Sequence, residues 1–67
     1  MNFRIAIDSF LNINNIKIED IKKDKYMLEI FCKEMLEKGY RKSQIADKLN
    51  INRRTLLYKI ERWFNKE

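Results

Sequence analysis

Apolar residues recur along this chain in short runs whose spacing changes from one segment to the next. Over residues 24 to 38 the spacing is that of a helix of about four turns. Good helix formers fill the segment, and Gly39 stands where a C-terminal cap belongs. Met27, Ile30, Phe31 and Met35 form one apolar stripe, and Leu28, Cys32 and Leu36 form a second beside it. An arc that wide exceeds what one neighbouring helix covers. Two outcomes fit it equally: the helix packs both on its own domain and on a partner, or both stripes are core in a small bundle.

Two shorter helices are predicted beyond it, over residues 43 to 49 and 53 to 64, with Ser43 or a neighbour capping the first. Between them, Asn50 suits the left-handed conformation that ends a helix, since asparagine tolerates it best after glycine. Ile51 then turns inward to pin the corner, and Asn52 caps the second helix by accepting from a first-turn amide. On the first of these helices Ile45, Ala46 and Leu49 face inward, and the small Ala46 lets the pair approach closely. On the second, Leu56, Ile60 and Trp63, with Phe64 beside them, make the buried stripe. Arg54, Tyr58, Arg62 and Asn65 lie opposite, with Thr55 and Lys59 on one shoulder.

Residues 1 to 23 carry the weakest pattern. Phe3, Ile5 and Ile7 alternate like a strand, while Phe3, Ile7, Phe10 and Leu11 fit a helical stripe, and we read a short helix. The asparagines of "NINN" at 12 to 15 point to a turn or loop, after which Ile16, Ile18 and Ile21 fold back on the core. The fold class is therefore all-α, a small helical bundle in one domain over residues 1 to 67, with a helix-turn-helix at 41 to 66.

Composition narrows the chemistry. Sixty-seven residues make a domain at the size where a lone core is only marginally stabilising, so a second copy of the chain is the expected reinforcement. One Cys and no His exclude an internal disulfide and the usual zinc ligand sets. No catalytic residue, metal or cofactor is expected, because so small a helical domain has little room to shield a tuned acid, base or nucleophile. Cys32 reads as a small apolar filler. The N-terminal apolar run is interrupted by Asp8, which fits neither a secretory signal nor a membrane span, and implies a soluble protein of the reducing cytoplasm.

Charge sharpens the picture further. The abundance of Ile, Lys and Asn is what an AT-rich coding sequence produces, so lysine excess alone says little. Residues 1 to 40 carry seven basic and seven acidic side chains, whereas residues 41 to 67 carry eight basic against three acidic, so the whole net charge of +5 resides in the second part. Arg41, Arg53, Arg54 and Arg62 lie there, and the arginine fork suits phosphate and guanine. A helix, a tight turn and a second helix that leads with Arg53 and Arg54 make a helix-turn-helix, whose second helix enters the major groove N-terminus first. Amides at the helix starts favour phosphate oxygens. A solvated cationic face on a plain bundle is the bland alternative, and the agreement of charge asymmetry, Ala46, Asn50, Ile51 and the Leu56/Ile60 stripe weighs against it.

The segment "SQIADKLNINRRTLLYKI" resembles the helix-turn-helix of the Fis family, shared with the C-terminal domains of sigma-54-dependent activators related to NtrC. Ala46, Leu49, Ile51, Asn52, Arg53, Thr55, Leu56, Lys59 and Ile60 stand where the family pattern wants them. Asn50 replaces the usual turn glycine, Ile45 a usual small residue, and Leu57 and Tyr58 fall where basic residues are common. The resemblance implies that Asn52, Arg53, Arg54, Thr55 and Lys59 face duplex DNA and that Arg41 and Ser43 contact its backbone. It also implies a homodimer built on the 24 to 38 helix through Met27, Ile30, Phe31 and Met35, nucleoid association, and an upstream ATPase domain if the chain is the end of an activator. Arg41, Lys42, Lys48, Lys59 and Arg62 are expected to neutralise phosphates, Arg53, Arg54 and Thr55 to read bases, and Tyr58 to donate to a phosphate or pack on a sugar. The segment "EKGYRKSQIADKLNINRRTLLYK" is also similar to the C-terminal helix-turn-helix of serine recombinases and to repressor and sigma-factor modules. A helical protein-interaction module and an RNA-binding domain are the alternatives from other classes.

Overall fold

Polar residues flanking the apolar stripes decide where each helix begins and ends. The computed structural model describes residues 2–65, and among them it has five helices and no strand: α1 (Phe3–Asn14), α2 (Ile18–Lys23), α3 (Lys25–Glu37), α4 (Lys42–Leu49) and α5 (Arg53–Phe64). Three helices begin with a side chain that accepts from their first-turn amides. Asn2 Oδ1 accepts from the Ile5 amide at 2.9 Å, Asp24 Oδ1 from the Tyr26 amide at 2.9 Å, and Asn52 Oδ1 from the Arg54 amide at 2.8 Å. The other two reverse the arrangement, with Asp20 accepting from the Lys17 amide at 3.0 Å and Gln44 from the Arg41 amide at 2.9 Å. The cap of α4 thus comes from Gln44, and Ser43 lies inside the first turn.

Three helix ends share one device. Asn15 (φ 53°), Gly39 (φ 94°) and Asn50 (φ 56°) adopt the left-handed conformation. After each, an amide reaches back to close the last turn: Ile16 to the Leu11 carbonyl at 3.1 Å, Tyr40 to Met35 at 3.1 Å, and Ile51 to Ala46 at 3.0 Å. This is the Schellman arrangement. Ile16, Tyr40 and Ile51 are then placed half-buried against the core, so the motif that stops each helix also folds the chain inward.

The N-terminal segment departs in part from expectation. Phe3, Ile7, Phe10 and Leu11 do form a helical stripe on the core, whereas Ile5, which the strand pattern would bury, is half exposed. The helix runs further than its asparagines suggested: residues 12 to 14 are its last turn, Asn14 Nδ2 donates to the Phe10 carbonyl at 2.9 Å, and Asn15 alone makes the bend. Ile16, Ile18 and Ile21 return to the core as expected, with Ile21 fully buried, but 18 to 23 is itself a short helix.

α1 and α2 account for the wide apolar arc of α3. Leu28, Phe31, Cys32 and Met35 are buried, with Phe31 meeting Phe10 edge-on at 5.1 Å between ring centroids. The same core takes in Ile45, Ala46 and Leu49 of α4 and Leu56 and Ile60 of α5. Each of the leucine, isoleucine, phenylalanine and methionine side chains contributes on the order of 2 kcal/mol on burial. Of the stripe expected to dimerise, Phe31 and Met35 are enclosed in the chain's own core, Met27 is half-buried against it, and Ile30 stays 47% exposed. Trp63 packs on the core as expected, but Phe64 is 54% exposed at the end of α5, with the Lys33 ammonium 5.7 Å from its ring centre. No helix among the described residues is long and apolar enough to cross a membrane.

Candidate nucleic-acid interface

The corner between α4 and α5 fixes how α5 is presented. Asn50 ends α4, Ile51 inserts, and Asn52 starts α5 by holding the amides of Arg54 and Thr55 at 2.8 and 3.3 Å. Leu56 and Ile60 are buried. Residues three and four apart share a helix face, so burying that pair turns Arg54, Tyr58, Arg62 and Asn65 outward, and all four are exposed. Thr55 is exposed beside them and Lys59 half-buried on the shoulder. Arg41 and Lys42 are exposed at the start of α4, and Ser43 is half-buried there.

Helix starts differ in what they offer an anion. At α5 the capping Asn52 has consumed two first-turn amides, so that end gives little to a phosphate, contrary to expectation. At α4 the amides of Lys42, Ser43 and Gln44 precede the helical ladder and have no partner among the described residues. Arg41 and Lys42 stand beside them.

One contact was missed from the sequence. Arg53 Nη2 donates to Asp47 Oδ2 at 2.9 Å and Arg53 Nε to Asp47 Oδ1 at 3.2 Å, a two-pronged bridge from the first residue of α5 back to α4. This hydrogen bond, and with it the guanidinium charge, holds the Asp47 carboxyl below its ordinary range and raises the pKa of Arg53. A lowered carboxylate pKa means that the bridge adds stability above the ordinary pKa and loses it as pH falls through the native value, so it is closed at neutral pH. Arg53 and Arg54, alike in sequence, therefore differ in the structure: the fork of Arg53 is occupied, whereas Arg54 has no ion-pair partner among the described residues. The available signal was an acid on the outward face of α4, six residues before Arg53.

Cys32 is fully buried, and that burial pushes its thiol up to about 12. It is protonated at neutral pH and serves as filler in the core.

Residues 33–63 match the family model for bacterial regulatory proteins of the Fis family. The matched stretch begins within α3 and ends one residue short of the last residue of α5, leaving α1, α2 and the first half of α3 outside it. Comparison with curated proteins and with solved structures gave no match.

Proposed function

From the match of residues 33–63 to the Fis-family model, we propose that the chain binds duplex DNA through the exposed face of α5 and regulates transcription in the bacterial cytoplasm. The observation that carries this reading is the alignment of Arg54, Tyr58 and Arg62 along one outward face, on a helix anchored by Leu56 and Ile60. Arg54 reads a base edge in the major groove. Arg62, Lys59, Lys48, Arg41 and Lys42 neutralise phosphates, aided by the open amides of α4, and Tyr58 and Ser43 donate to the backbone. Thr55 is exposed on the same helix and contributes to base reading. Asn52 acts through the cap it makes, and Arg53 reaches DNA with the donors that Asp47 does not hold, or by giving up Asp47.

The homodimer implied by the family enters in a narrower form. With Phe31 and Met35 enclosed, Ile30 and the half-buried Met27 are the part of that stripe left for a second copy. Two copies would present two α5 helices to successive major grooves.

Fluorescence anisotropy against a panel of duplexes tests the base-reading role. Arg54→Ala should cost about 1 to 3 kcal/mol and relax preference at one base pair. An equal loss on every sequence would reduce Arg54 to a phosphate contact, and no binding by the unaltered chain at low salt would leave a protein-interaction module as the better reading.

A further inference from the structure

We infer that the DNA contact surface extends beyond the helix-turn-helix into a groove between α3 and α5, where Lys25 holds a backbone phosphate flanking the base pairs read by α5. This inference rests on the DNA reading above and concerns a residue outside the family-matched segment 33–63.

Lys25, Tyr26, Leu28 and Glu29 of α3 line one side of the groove, and Lys59, Arg62 and Trp63 of α5 line the other. Its floor is apolar, made by buried Leu28 and half-buried Trp63. Its rim carries three cations and one acid. That acid is already engaged: Glu29 pairs with Lys33 one turn along α3, at 2.8 Å. Asp24, next to Lys25, accepts from the Tyr26 and Met27 amides at 2.9 and 3.4 Å and is committed as a cap. Among the described residues, Lys25, Lys59 and Arg62 take part in no ion pair. Tyr26 is 79% exposed, and its phenol can donate to an anion.

The occupant follows from charge and continuity. Lys59 and Arg62 belong both to this groove and to the α5 surface that neutralises phosphates, so a strand held by them passes the mouth of the groove. A cationic rim without free carboxylates suits a polyanion. Because the amides at the start of α3 are consumed by Asp24, the contact comes from the Lys25 ammonium and the Tyr26 hydroxyl. Such contacts add affinity without sequence preference.

The test measures the salt dependence of binding on two duplexes, one limited to the base pairs under α5 and one extended by about a helical turn on each side. Lys25→Ala should lower the salt slope by about one unit on the longer duplex and weaken binding about fivefold at 0.15 M salt, with unchanged base preference. On the short duplex it should match the unaltered chain. Lys22→Ala removes an exposed cation outside the groove and controls for net charge; it should not depend on duplex length. If Lys25→Ala behaves like Lys22→Ala on both duplexes, the groove is not a phosphate site, although the DNA reading survives. If the unaltered chain binds neither duplex, both fall together.

Discussion

Two adjacent arginines at the head of α5 have different electrostatic surroundings, and the difference lies in one carboxylate. Asp47 occupies both prongs of the Arg53 fork, while Arg54 is exposed with no ion-pair partner among the described residues. A phosphate approaching Arg53 finds two of its donors held by Asp47 and meets a like charge beside it. Asp47→Ala should therefore strengthen binding to random duplex DNA severalfold at low salt and steepen the salt slope, because one cation is released and one anion removed. Affinity measured across salt concentrations checks this. Weaker binding by the variant would mean that the bridge serves to aim α5. No His is present and the Cys32 thiol titrates only at about 12, so neither contributes a pH response near neutrality.

At the level of helices, chain reversals depend on three left-handed residues, each followed by a side chain that packs on the core. Gly39 is the cleanest place to measure what this costs. Its φ is +94° and a Cβ there would meet nothing within 4 Å, so Gly39→Ala isolates the backbone term. A loss of about 1 to 2 kcal/mol in denaturant unfolding is expected, with the fold intact. No loss would show that the end of α3 relaxes to another conformation without cost. The ends of α3 and α4 were legible in the sequence because a glycine or an asparagine followed a clear helical stripe. The same signal at 12 to 15 misled, since three asparagines within four residues offered candidate breaks and only Asn15 carries it. α2 escaped notice because six residues hold too little periodicity. The Leu56/Ile60 stripe exposed the outward face of α5 to sequence reading. The Asp47 bridge was hidden because it joins two elements, and periodicity within one helix says nothing about it.

The whole chain explains why most of the apolar surface of α3 is enclosed by the chain itself. A single-helix view finds more apolar arc than one neighbour can cover, and the chain's other helices enclose most of it: Phe10 meets Phe31 and Ile21 completes the core, while Ile30 stays half exposed. The helix-turn-helix is thereby mounted on a support made by the chain itself, with its net positive charge gathered at the opposite, C-terminal part. Which face engages DNA is best decided by mapping backbone amide chemical shifts as a duplex of about two helical turns is titrated in at low salt. Perturbations should concentrate at residues 41 to 43 and along Arg54, Thr55, Tyr58 and Arg62, and fade as salt is raised. Perturbations confined to the exposed Ile5 and Ile13 of α1, or none at low salt, would contradict DNA recognition by α5.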